Sequence, residues 1–186
     1  MDRTLNDASF ASEFAGTDAG RFLLNALQYL EMANLVIETD AFRQQPSRYN
    51  RPLLNTLATG IELALKSFPA QEGENLQQIA RKGHKIWKIW QEFPPDCLVK
   101  QLIFEAALYT YNNAVTHGLA QQRENTNVLW DEFEEQLKCL SDGYSCRTFP
   151  FRYPDHDSRK IPRPGWLTET FRRGTHKYCR TLLGVP

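Results

Sequence analysis

Residues 59–87 read TGIELALKSFPAQEGENLQQIARKGHKIW, and this stretch indicates the fold class most clearly. Apolar side chains recur every three or four residues on both sides of PAQEGEN, which is typical of two amphipathic helices joined by a loop. One face of the first helix carries its apolar residues, namely Leu54, Leu57, Ile61, Ala64, Leu65 and Phe68. Glu62 and Lys66 lie one turn apart on its flank, in the order that favours an ion pair worth about 0.2–0.5 kcal/mol.

The second helix of this stretch carries a glycine inside its apolar face. Gly83 lies near the middle of a helix predicted over about 74–93, where glycine costs about 1 kcal/mol relative to alanine. Close approach of another helix backbone would compensate, so we expect tight packing at Gly83. His84 would then lie beside a helix–helix contact.

The rest of the chain predicts an all-α fold, an antiparallel bundle of about six helices. Their predicted ranges are about 21–37, 52–68, 74–93, 96–117, 127–140 and 166–183. Asp96 is expected to be the N-cap of the helix at 96–117, and Gly118 to end it. Pro52 is expected to start the helix at 52–68, and Pro69 to lie just past its end. An ordered extended loop over 145–165 precedes the last helix. Residues 1–18 are predicted to be a loosely ordered segment, and 19–186 a single domain.

Composition narrows the class of protein. No apolar run approaches the roughly 18 residues of a membrane span, and the N-terminus lacks the pattern of a secretory signal. We therefore expect a cytoplasmic protein without membrane contact, and no cofactor. The widely spaced cysteines predict reduced thiols and no metal. A zinc site is the disfavoured alternative, and its ligands would be Cys139, Cys146, His176 and Cys179.

Charge is unevenly distributed, although the net charge is zero. Residues 143–186 hold nine Lys or Arg against three acids. A basic end on an acidic body is typical of a nucleic-acid surface. The alternative is that this end folds back on acidic helices, which we favour slightly. Tyr109 and its neighbours late in the fourth helix could line a groove, but packing explains them as well.

Three segments together resemble the HEPN superfamily of small helical domains. They are GIELALKSF at 60–68, Gly-His at 83–84 followed by Lys-Ile, and Phe-Arg-Tyr-Pro at 151–154. They are similar to the ELxLK, GHDL and RYP segments of some members, in the same order. Lys85 departs from the pattern because it replaces the acid of GHDL. The resemblance implies an antiparallel helical bundle, often a homodimer, in intracellular nucleic-acid-linked or defence systems.

The resemblance also bears on whether the chain is an enzyme. Catalytic HEPN proteins are metal-independent ribonucleases whose signature is an arginine, four to six residues, then a histidine. Here Arg81 and His84 are separated by two residues, and Arg152 and His156 by three. Arg172 and His176 are also separated by three, so the signature is absent.

Two main hypotheses follow. The first is a non-catalytic HEPN-like module that acts through dimerisation, a protein partner or nucleic-acid binding. Glu62, Lys66, His84 and Arg152 would form a buried polar cluster in it. The predicted binding residues are Glu62, Lys66, Arg81, Lys85, Lys88 and Arg152. Its expected partners are a second copy of the chain and RNA, or a nucleotidyltransferase-type protein.

The alternative is a metal-independent endoribonuclease with a rearranged site. Histidine can transfer the 2′-OH proton and arginine can stabilise charge on the phosphate. The candidate catalytic residues are His84, Arg152 and His156. A helical small-molecule or metal binder unrelated to these functions is the remaining hypothesis.

Overall fold

The computed structural model describes residues 12–122, 125–145 and 162–185. Every regular element within those ranges is helical, so the all-α prediction is confirmed. A helical turn at 12–16 precedes the helices, which we number in chain order. They are α1 (Asp18–Glu38), α2 (Asp40–Gln44), α3 (Pro46–Gln71), α4 (Leu76–Arg81), α5 (Ile86–Glu92), α6 (Leu98–Thr116), α7 (Thr126–Ser145) and α8 (Pro164–Leu182).

Two close helix pairs organise the bundle. α1 and α3 pack along each other, and Gly60 of α3 fits against Leu30 and Tyr29 of α1. α6 and α8 form the second pair, in which Gly174 of α8 faces Ile103 of α6. α8 also contacts α1, so the two pairs pack against each other through α8. The interior between them is aromatic, with Trp90, Phe133 and Phe171 fully buried.

Helix α3 corrects two predicted boundaries. The predicted start at about 52 is wrong, because α3 starts at Pro46 and runs unbroken to Gln71. Pro46 occupies the first turn, where a missing N–H costs nothing. Pro52 and Pro69 lie inside the helix instead of at its start and just past its end. The apolar face buried against α1 and the core outweighs the hydrogen bonds that these prolines remove.

Gly83 corrects a third prediction. The helix expected over 74–93 is interrupted, and α4 and α5 are separated by a turn at 82–85. Gly83 has a φ of 63°, and a Cβ there would meet nothing within 4 Å. The glycine therefore permits a left-handed turn and not a close helix contact. Asn75 and Gln78 form a capping box that starts α4.

The other observed helix boundaries differ less from the predicted ones. α6 is capped by Cys97 rather than Asp96, and it ends before Gly118, which has a φ of 69° as a helix stop requires. α7 continues beyond the predicted 140 to Ser145. The predicted ordered loop lies mostly at 146–161, outside the described residues. Of the segment 1–18, residues 12–16 are helical and Phe14 is buried.

Candidate functional site

Glu62 and Lys66 form a buried ion pair on α3. Their spacing of four residues places them one turn apart, and Lys66 Nζ donates to Glu62 Oε1 at 2.6 Å. Both residues are almost fully buried, at 4% and 7% exposure. Two charges removed from water are tolerated when each is paired and hydrogen-bonded. The pair therefore costs little while it is intact and much if one partner is lost.

His84 reaches the same carboxylate from the turn between α4 and α5. Its Nδ1 lies 3.0 Å from Glu62 Oε2 and 3.1 Å from Oε1. Since a carboxylate only accepts, Nδ1 carries the proton and the other ring nitrogen, Nε2, is an acceptor in the neutral ring. The ring meets Tyr144 edge-on, yet the side chain is 65% exposed. An oriented, accessible imidazole results, with the geometry of a general base.

The structure thus brings together Glu62, Lys66 and His84, three members of the predicted polar cluster. It corrects the prediction that the whole cluster is buried, because His84 sits on an exposed turn. The reason is again the left-handed Gly83, which ends α4 before His84 could enter the core. Arg152 and His156 lie outside the described residues.

The cations predicted around His84 are all on the surface. Arg81, Lys85 and Lys88 are exposed, and none forms an ion pair within the described part of the chain. Lys82 differs, since hydrogen bonding to Glu92 raises the pKa of Lys82 against the opposing effect of burial, with Glu74 adding to the rise. We call Arg81, Lys85 and Lys88 the turn patch.

A second basic surface borders α8. An open groove of about 760 Å³ runs between α6 and α8. Its apolar part comes from Leu102, Ala106 and Val185. Side chains recurring every three or four residues share one helix face, and this face of α8 contributes Arg172, Arg173, His176, Lys177 and Arg180. We call it the α6–α8 groove.

Tyr109 of α6 is the aromatic residue of the groove. Its side chain is 51% exposed. The guanidinium of Arg173 lies over the ring, 4.4 Å from its centroid, in cation–π geometry. Glu169 holds Arg173 in place through an ion pair. One face of the tyrosine is therefore covered and the ring remains accessible from the groove.

Carboxylates at the rim balance much of the positive charge. Glu105 pairs with Lys177, and both are more than half exposed. Glu31 of α1 accepts from Arg172 at 3.2 Å and contacts His176 at 3.0 Å. Among the described residues, Arg180 has no ion-pair partner. Exposed pairs contribute about 0–1 kcal/mol, so an anionic ligand can compete for these cations.

The ion pairs at this rim shift the pKa values of Glu31 and Arg172. Burial alone would raise the pKa of Glu31, but hydrogen bonds from His176 and Arg172 outweigh it and lower the pKa. Burial would likewise lower the pKa of Arg172, and the bonds to Glu169 and Glu31 raise it instead. Both the carboxylate and the guanidinium are thus stabilised in their charged forms.

The two interpretations of the basic C-terminal end both find support in contacts. Arg163 pairs with Glu132 of α7 at 3.4 Å, as expected of an end that folds back on acidic helices. Four further cations of this end, Arg172, Arg173, Lys177 and Arg180, line the α6–α8 groove instead. Sequence analysis found the charge excess, and considered Tyr109 as a groove residue, but did not place the two together.

Within 12–122, 125–145 and 162–185, no three His, Cys, Asp or Glu side chains are grouped as a metal site would require. Cys146, one ligand of the disfavoured zinc site, lies outside those ranges. None of the described helices combines the length and apolar character needed to cross a bilayer.

Comparison with known proteins gives no assignment. No protein-family model, curated protein or solved structure matches the chain.

Proposed function

We propose that this chain is a HEPN-like, non-catalytic helical module that binds RNA. The observation that carries the proposal is the α6–α8 groove, where five cationic or titratable side chains of one helix face surround an exposed tyrosine. Grooves of this composition follow the backbone of a nucleic-acid strand. The basic C-terminal end and the three HEPN-like segments support the same interpretation.

Phosphate is the chemistry that these side chains fit. Arg172 and Arg173 are held by carboxylates in defined orientations, whereas Arg180 is unpaired within the described ranges. Guanidinium groups bind phosphate oxygens through charge-assisted hydrogen bonds. Lys177 exchanges a weak surface partner, Glu105, for a phosphate. The turn patch supplies a further basic surface that we expect to contribute less.

The test is binding of a labelled single-stranded oligo(U) RNA to the full chain, followed by fluorescence anisotropy at increasing salt. We expect the logarithm of the association constant to fall linearly with the logarithm of salt, because bound phosphates release counterions. Arg180→Gln removes one contact and should reduce the slope by about 0.7. Arg43→Gln, an exposed arginine of α2, is the control and should leave it unchanged. Absence of binding, or binding that ignores salt, would refute the proposal.

A ribonuclease remains the second candidate because of the oriented His84. Nε2 of this ring would accept the 2′-OH proton while the 2′ oxygen attacks the phosphorus. The P–O5′ bond would break, with His156 giving a proton to the leaving 5′ oxygen and Arg152 stabilising the charge on the phosphate. Incubation of RNA with EDTA should then give fragments ending in 2′,3′-cyclic phosphate, lost in His84→Ala. Intact RNA under these conditions would exclude this candidate.

Homodimerisation belongs to the proposal as well. Exposed apolar side chains of α1 support it, since Leu24, Met32 and Leu35 lie on one helix face with 40%, 51% and 63% exposure. Light scattering should give a dimer mass that Leu35→Gln lowers to that of a monomer. A monomeric wild-type chain would contradict this part. The nucleotidyltransferase-type partner and the cytoplasmic location stay predictions.

A further inference from the structure

The arrangement of Tyr109 and Arg173 goes beyond what phosphate binding needs. A groove that only attracts phosphate requires cations, yet here an aromatic ring is exposed between them. Arg173 covers the ring at 4.4 Å, and the tyrosine is nevertheless 51% exposed. The ring is therefore held in position by a guanidinium and open to a planar partner.

The flanking cations are spaced for a chain of phosphates. Arg173, Lys177 and Arg180 lie on one face of α8, four and three residues apart. With a rise of about 1.5 Å per residue, they span roughly 10 Å. A strand lying along α8 would present successive phosphates to Lys177 and Arg180 while one of its bases reaches Tyr109. A free phosphate would use only part of this surface.

We propose that Tyr109 is a base-stacking subsite that makes the α6–α8 groove selective for single-stranded RNA. This inference rests on the proposed function and specifies its ligand. Every base has a face that can stack on an aromatic ring, so the contact is independent of sequence. In a duplex the bases are stacked on each other and are not available to Tyr109. The groove therefore discriminates by strandedness.

The carboxylate of Glu105 competes with RNA phosphate for Lys177. It pairs with Lys177 at the rim of the groove, and both side chains are exposed. A strand that binds Lys177 must displace this carboxylate. Glu105→Gln should consequently raise the affinity for oligo(U), and a gain in affinity cannot arise from misfolding.

Three probes test the proposal with the full chain: single-stranded oligo(U), an RNA duplex and inorganic polyphosphate. We expect oligo(U) to bind more tightly than the duplex. Tyr109→Ala should weaken oligo(U) binding about tenfold and leave polyphosphate binding unchanged, while Tyr109→Phe retains wild-type affinity. The control is Tyr49→Ala, since Tyr49 also faces an arginine, Arg48 at 5.8 Å, but lies outside the groove.

Each other outcome overturns the inference. Equal affinity for duplex and single strand removes the strandedness claim. If Tyr109→Ala binds oligo(U) as tightly as wild type while Arg180→Gln binds it more weakly, stacking is refuted and the proposed function stands. Loss in Tyr109→Phe equal to that in Tyr109→Ala assigns the effect to the hydroxyl and not to the ring. Failure of all three probes to bind refutes both proposals.

Discussion

A single carboxylate, Glu62, ties the turn at His84 to the body of the protein. It accepts from Lys66 on its own helix and from His84 across the α4–α5 turn. Lys66 is only 7% exposed, so its side chain is largely removed from water. The pair is consequently a point where one substitution should have a large effect on stability.

Breaking the Glu62–Lys66 pair should be far costlier than replacing both residues. Glu62→Gln leaves the Lys66 charge buried without a counter-charge, so we expect a loss of about 3–5 kcal/mol in the free energy of unfolding. The double variant Glu62→Leu/Lys66→Met should be near neutral. Urea denaturation measures both. A double variant as unstable as the single one would contradict this account.

Glu31 should make stability fall in acid. Its folded-state pKa is lowered, so the ionised carboxylate stabilises the fold above the ordinary glutamate range, and the contribution is lost as pH falls through the lowered value. Because the side chain is 41% exposed, the effect should stay below about 1 kcal/mol. The melting temperatures of wild type and Glu31→Gln should converge as pH decreases. A constant difference would show that Glu31 does not titrate as described.

At the scale of elements, two glycines explain where sequence analysis succeeded and failed. A close helix contact was predicted at Gly83, but one occurs instead at Gly174, where a Cβ would come 2.4 Å from Ile103 Cδ1. Sequence periodicity finds helix faces, and it predicted α1, α6 and α8 well. It does not show which distant helix lies opposite a glycine, nor which glycine adopts a positive φ.

Gly174→Ala should therefore separate α6 from α8. The added methyl meets Ile103, including its Cα at 3.3 Å, so side-chain movement alone cannot remove the contact. We expect a loss of about 1–3 kcal/mol, the usual cost of overpacking. Gly165→Ala in the same helix is the matched control, because nothing lies within 4 Å and alanine is the better helix former. Thermal unfolding of both variants measures the difference in stability, and equal stabilities would contradict the packing described.

Over the whole molecule, the local part of the candidate site was predictable and the groove was not. Glu62 and Lys66 were recognisable from their spacing of four, and His84 from the HEPN-like segments. The α6–α8 groove joins Tyr109 to side chains more than sixty residues away in sequence. No local pattern contains that pairing, which follows from the packing of Gly174 on Ile103. The excess of positive charge after residue 143 and the exposed-groove interpretation of Tyr109 each indicated part of this surface, but neither indicated the other.

The proposed function depends on RNA binding in the α6–α8 groove. The most direct test compares the affinity of oligo(U) for two doubly neutralised variants of the full chain. Lys177→Gln/Arg180→Gln removes two groove cations, and Lys85→Gln/Lys88→Gln removes the same charge from the turn patch. We predict that the groove variant loses about tenfold or more and the turn-patch variant less than about threefold. Equal losses, or a larger loss in the turn-patch variant, would contradict the claim.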